Sequence, residues 1–279
     1  MFGAGVVVGL SFALSGVVHA WWGGGHQIFT LAALRVLPED MPNFFRSAGT
    51  ALADMSAEPD RWKDPAAPHL RGTEHPEHFI DLEYLEGRPL PSHRADLIKY
   101  YVSKGLDPGT GGYLPYAIQE GYERLMLAFK DYRKRPLAPE VQQRVIVYAG
   151  WLAHYCQDAL MPLHTTRDYD GKQVGDKIVQ KGLHAKIDGY PESNNFKAEA
   201  VSEGVKCEPA RDVWGLILST LANSFAQVPR CYALDSEGAF DTHPEKGREF
   251  ILERAHLSAQ FTAVIWYTAW KNSAGVAPQ

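Results

Sequence analysis

The stretch 154–164, HYCQDALMPLH, decides the fold of this chain because it places chemistry on a long apolar helix. That helix is expected from about Glu140, in EVQQRVIVYAGWLAHYCQDALMPLH, where apolar residues recur at helical spacing. His154 and Asp158 lie four apart, so both side chains leave one face. Pro162 ends the helix, since the residue before a proline is pushed out of the α region. His164 then sits just past that end, free to point at a neighbouring spot. An imidazole, a carboxylate and a second imidazole in an apolar setting make a metal-ligand set. This stretch alone leaves open a plain hydrogen-bonded His–Asp pair beside an unrelated loop histidine.

Further along, GLHAKIDGY places His184 and Asp188 at the same interval of four. Upstream, the Pro-rich segment SAEPDRWKDPAAPHLRGTEHPEHFIDLEYL, residues 56–85, is too long for a simple connector, and long loops in compact domains are usually functional. Of its histidines His69, His75 and His78, the last leads the apolar run HFIDLEYL and is expected to point inwards. Asp60 is the best upstream carboxylate, with Asp54 and Asp64 as rivals that spacing does not separate.

The remaining pattern is helical throughout. Helices are expected in HQIFTLAALRVL (26–37), in PNFFRSAGTALADM (42–55), in SHRADLIKYYVSKG, and in YLPYAIQEGYERLMLAFKDYRKR. LDPGTGG is a turn and TTRDYDGKQVGDK a polar loop. Two long helices, DVWGLILSTLANSFAQV and PEKGREFILERAHLSAQFTAVIWYTAW, close the chain with broad apolar stripes, and His256 within the last is a structural histidine. No alternating strand pattern stands out. The expected fold class is all-α: a single multi-helix domain with its ligands delivered from helix faces and helix ends into a cleft.

The 279 residues, 45% hydrophobic and 22% charged, suffice for one large folded domain. A net charge of -5 excludes a polyanion-coating protein, so any phosphate chemistry must rely on local cations. Residues 1–20, MFGAGVVVGLSFALSGVVHA, end in small residues at Val18 and Ala20, as a cleaved secretory signal does, although no Lys or Arg follows Met1. Cleavage after Ala20 leaves a secreted or periplasmic domain, 21–279, that begins WWGGGH. The Trp21 amine could then fold back across the glycines to share a metal with His26. In an oxidising compartment Cys207 and Cys231 could pair, leaving Cys156 buried.

With Trp21 and His26, HFID at 78–81, H-x3-D-x5-H at 154–164 and H-x3-D at 184–188, the chain resembles the superfamily of zinc-dependent phospholipases C and single-strand-specific nucleases. The resemblance implies three zinc ions. Asp60, His78, His154 and Asp158 would hold the first, and His164, His184 and Asp188 the second. The Trp21 amine and carbonyl, His26 and a shared Asp158 would hold the third. A zinc-activated water then attacks phosphorus without a side-chain nucleophile. Asp60 and Lys63, the latter matching a phosphate-contacting position of the nucleases, are the catalytic candidates.

The five-residue step from Trp21 to His26, Asp188 in the last position and Lys63 favour the nuclease branch, with single-stranded DNA or RNA as substrate. The segment from His164 to His184 lacks the glycine-rich element of that branch, and GLHAKID has phospholipase character. Phospholipid is therefore the alternative substrate. A secreted helical binding protein with a structural zinc site is a further alternative, and no protein partner is implied.

Overall fold

The computed structural model describes residues 21–275 of the chain. The expected signal segment and its cleavage point after Ala20 lie outside the described residues. Fourteen α-helices, joined by short 3₁₀ turns and one small hairpin, make up the described elements, so the all-α expectation holds. Among these residues no helix is long and apolar enough to cross a membrane.

The scaffold is a bundle of α1 (Gly23–Arg35), α3 (Gly49–Ser56), α7 (Leu114–Lys134), α8 (Pro139–Asp158) and α14 (Pro244–Asn272). Helix α8 begins with proline in its first turn, where the missing N–H has no intrahelical partner to lose, and carries Glu140 at its positive end. It stops at Asp158, and residues Pro162–Thr165 form one 3₁₀ turn. The 29-residue α14, roughly 43 Å long at 1.5 Å per residue, lies along α1, α7 and α8. Its Trp266 is fully buried, donates to the Ala149 carbonyl on α8 at 3.0 Å and meets Phe45 edge-on at 5.2 Å.

Close approach of α3 to α8 positions the site. Gly150 faces Met55, and a Cβ there would fall 2.2 Å from the Met55 Cβ. Only glycine lets the two backbones come this near.

Several expectations change. The helix over 42–55 is split into α2 (Asn43–Arg46) and α3, because Ser47 and Gly49 are poor helix formers and Ala48 leaves helical geometry at ψ 20°. The glycines after Trp22 form the first turn of α1 rather than a turn before it. Gly24 N donates to Glu192 Oε1 at 2.6 Å, and a Cβ on Gly24 would strike that carboxylate. The polar loop after His164 contains strands β1 (Lys172–Val174) and β2 (Lys177–Val179), paired antiparallel. Three-residue strands with mostly exposed side chains carry too little alternation to read in sequence.

The segment 56–85 is largely helical, with α4 (Glu58–Arg61), α5 (Pro68–Glu74) and 3₁₀ turns. The pairing of Cys207 with Cys231 is not formed. Both are buried free thiols, as is Cys156, and burial pushes Cys207 and Cys231 up to about 12. Such thiols are inert.

Candidate metal centre

Eight side chains singled out from sequence converge on the C-terminal end of α8. His154 and Asp158 come from the last turn of α8, Asp60 from α4 and His78 from the 3₁₀ turn 75–78. His26 comes from α1, His164 from the 3₁₀ turn after α8, and His184 and Asp188 from α9 (Leu183–Asp188). All eight are buried. They fall into three groups, His26–His154–Asp158, Asp60–His78–His154 and His164–His184–Asp188, each with ligand atoms within 4.8 Å of one another.

Asp158 is the hub. Its Oδ2 lies 3.1 Å from His78 Nδ1 and 3.3 Å from His154 Nε2. Its Oδ1 lies 3.6 Å from both His26 Nε2 and His164 Nδ1. The His164–His184–Asp188 group therefore adjoins the other two through Asp158. Asp60 Oδ1 sits 3.7 Å from His154 Nε2 and 3.9 Å from His78 Nδ1, and His184 Nδ1 sits 3.1 Å from Asp188 Oδ2. Two ligands on one tetrahedral zinc with bonds near 2.0–2.1 Å stand roughly 3.3 Å apart. The observed separations scatter around that edge, so the side chains fit the ion.

Hydrogen bonds outside the cluster fix which ring nitrogen faces inwards. Gln157 Nε2 donates to Thr30 Oγ1 at 2.9 Å, which turns its Oε1 to accept from His26 Nδ1 at 2.7 Å. His154 Nδ1 donates to the Ser56 carbonyl at 2.8 Å. Each ring thus turns Nε2 towards Asp158, and where the ring is neutral that nitrogen is a lone pair aimed at the carboxylate. A lone pair and an ionised carboxylate facing each other across 3.3–3.6 Å repel unless a proton or a metal cation lies between them. His26 Nε2, Asp158 Oδ1, His164 Nδ1, His184 Nδ1 and both Asp188 oxygens make no hydrogen bond in the described structure.

The electrostatics agree. Burial and the neighbouring His154 lower His26 to about 4, burial and Lys63 lower His184 to about 3, and burial holds His78 and His164 well below the usual range. These imidazoles are neutral near pH 7, as ligands must be. Burial pushes Asp158 and Asp188 far above the ordinary carboxylate value, because the protein itself supplies little positive charge. Burial opposes ionising Asp60 too, but His154 and Lys63 outweigh it and hold Asp60 low. Lys63 Nζ meets Asp60 Oδ1 at 2.6 Å.

Asp60 is the carboxylate that turns inwards. Asp54 is ion-paired with Arg61 on the surface, and exposed Asp64 accepts from Ala66 N. His69 and His75 are exposed, and His256 bonds the Ala200 carbonyl away from the site. Trp21 is fully buried beside the cluster, its indole donating to the Gln157 carbonyl at 3.1 Å. Its free amine depends on cleavage beyond the described residues. Gln157 escaped the sequence reading, although a polar residue between His154 and Asp158 on an apolar helix was a visible signal.

No protein-family model and no curated protein match this chain. Its fold is similar to that of alpha toxin from Clostridium absonum, with a TM-score of 0.52 and 15% identity over 90% of this chain and 64% of that one. It is likewise similar to the Clostridium perfringens alpha-toxin isolated from an avian strain, with a TM-score of 0.51 and 16% identity over the same shares. The chain thus spans 64% of the length of either toxin.

Proposed function

We propose that this chain is a secreted zinc-dependent hydrolase of phosphodiester bonds, with a phospholipid as substrate. One observation carries the reading. His26 and His154 each commit Nδ1 to an outer acceptor and turn Nε2 onto the carboxylate of Asp158. Tautomers fixed in this way present Nε2 as a metal ligand would, and His154 Nε2 also lies 2.9 Å from His78 Nδ1, another of the proposed ligand side chains.

The proposed ligands are Asp60, His78, His154 and Asp158, then His164, His184 and Asp188, then His26 with Asp158 and the Trp21 backbone once residues 1–20 are removed. Three groups of side chains, two of them sharing His154, support three zinc ions. Bound zinc would supply hydroxide near neutral pH and neutralise charge on the phosphoryl oxygens. The chain's own part is positional. Asp158 holds four imidazoles in register, Gln157 and Ser56 fix the orientation of two of them, and Lys63 keeps Asp60 ionised while offering an ammonium to a phosphate oxygen.

The likeness to alpha toxins, together with the motifs shared with phospholipases C, favours a lipid phosphodiester over the nucleic acid expected from the sequence alone. A second reading remains tied to specific residues: the Trp21–His26 interval, Asp188 and Lys63 favour single-stranded DNA or RNA. Purified mature protein assayed with zinc on phosphatidylcholine, single-stranded DNA and RNA decides between them. Head-group release that disappears in His154→Ala is expected. Nucleic-acid cleavage alone would install the second reading, and zero or one zinc per chain by metal analysis would sink the three-metal site.

A further inference from the structure

The His164–His184–Asp188 group is gathered from two stretches that a surface excursion separates. His164 lies before the β1–β2 hairpin and His184 after it, and their rings stack at 5.0 Å with planes 19° apart. The chain enters and leaves this excursion through glycines at positive φ, Gly171 at 106° and Gly182 at 92°. The apolar side chains of the hairpin, Val174 and Ile178, are exposed, so burial does little to hold its two ends together.

One carboxylate closes the base of the excursion. Asp170 Oδ1 accepts from Gly182 N at 2.8 Å and from His184 N at 3.3 Å. Helix α9 needs such an acceptor, because its N-cap is Gly182, which has no side chain to offer the free N–H groups of the first turn. Asp170 supplies that oxygen from outside the helix, twelve residues upstream of Gly182. It is half-buried and has no ion pair among the described residues. Other ties fasten the same segment to α13 (Val228–Ser236): the Tyr232 hydroxyl donates to the Asp168 carbonyl, Gln180 Nε2 to the Tyr232 carbonyl at 2.8 Å, and Lys186 Nζ to Asp235 Oδ1 at 2.9 Å. Those ties run through α13, whereas Asp170 joins the two ligand-bearing stretches directly.

We propose that Asp170 is a positioning residue for the His164–His184–Asp188 group. By clasping the first turn of α9 to the chain that follows His164, it sets the spacing of the two imidazoles for one ion. The inference rests on the zinc reading above, and it assigns the role to the acceptor oxygen of Asp170 rather than to its charge.

Zinc titration against a competing chelator, with hydrogen exchange at the His184 amide of metal-free protein, tests it in Asp170→Ala and Asp170→Asn. Asp170→Ala is expected to weaken one zinc by about ten-fold or more, the scale for losing an outer partner of a ligand. It should leave the other two zinc ions unchanged and speed exchange at His184. Asp170→Asn removes the charge but keeps an oxygen in place, and should behave as the unmodified protein does in both measurements. Asp170→Ser, polar but too short to reach, stands in if Asp170→Ala does not fold. Equal weakening of all three zinc ions in Asp170→Ala, unchanged zinc affinity, unchanged exchange at His184, or an Asp170→Asn protein that behaves like Asp170→Ala would each overturn the proposal. Fewer than three zinc ions in the unmodified protein would count against the metal reading instead; faster exchange at His184 in Asp170→Ala would then still uphold the clasp, and unchanged exchange would overturn it.

Discussion

Gly150→Ala tests whether the approach of α8 to α3 sets the metal site. The added Cβ would lie 2.2 Å from Met55 Cβ, 3.1 Å from its carbonyl carbon and 3.2 Å from its Cα. Carbon atoms pack at roughly 3.5–4.0 Å, and two of these three neighbours are backbone, so the helices must part by about 1 Å. The next residue, Ser56, holds His154 Nδ1 through its carbonyl at 2.8 Å. An opening of about 1 Å carries that contact out of hydrogen-bond range, and His154 loses its fixed tautomer. Overpacking costs about 1–3 kcal/mol, offset by about 1 kcal/mol from the better helix propensity of alanine. A net loss of up to about 2 kcal/mol lowers Tm by up to several degrees in a chain of this size. Loss of an outer partner of a ligating histidine costs about 10–100-fold in metal affinity. Calorimetric melting of the metal-free protein reads the first effect, and zinc titration against a competing chelator reads the second. Gly121→Ala is the control, because its Cβ meets only the Leu152 side chain, with the flexible Cδ1 tip at 3.0 Å as the one tight contact. A Gly150→Ala protein that keeps both its Tm and its zinc affinity would refute the reasoning.

Asp158→Asn should raise the Tm of metal-free protein at neutral pH while abolishing the zinc-induced increase in Tm; a variant that still gains Tm with zinc would contradict Asp158 as the shared ligand. Asp81, driven from 3.8 to about 7 by burial and by Glu83, keeps its proton in the folded state over a range where the unfolded chain has lost it. Stability should therefore fall as pH rises from about 4 to about 7. Asp81→Asn should match the unmodified protein near pH 4 and exceed it above pH 7 by at most about 4 kcal/mol, given three units at 1.36 kcal/mol each; pH-resolved chemical denaturation measures this. Glu192→Ala removes the acceptor of Gly24 N and the negative charge at the start of α1, for a loss of up to about 1 kcal/mol. Weaker zinc binding should accompany it, since α1 carries His26; chelator competition is the check.

Periodicity and spacing exposed much of this arrangement. The intervals His154–Asp158 and His184–Asp188 are one helical turn each, and a turn puts two side chains on one face whatever the rest of the chain does. Choosing among Asp54, Asp60 and Asp64 was beyond spacing, because it depends on which side of the short α4 turns to α8. Packing makes that choice: Asp60 and Lys63 go inwards together as an ion pair, and Arg61 takes Asp54 outwards. Glu192 was equally hidden, since its contact with Gly24 joins residues far apart in the chain. The hairpin at 172–179 was missed because its turn depends on Gly175 at φ 58° rather than on any apolar pattern.

The placing of Asp158 makes the strongest case for a cation. It is fully buried, it shares the site with Asp60, and it stands at the negative end of a 20-residue helix. Burial and Asp60 both disfavour its charge, and the helix end adds a further penalty of the same sign. His26 and Lys63 oppose them without prevailing. A neutral asparagine would fill the same volume and give His26 and His154 an amide N–H to accept. A chain selected for stability alone has every reason to place asparagine there. Carboxylate at 158, with imidazole lone pairs fixed against it, is a destabilising choice that a bound divalent cation reverses, since an ion at the centre of the cluster turns each of those repulsions into an attraction.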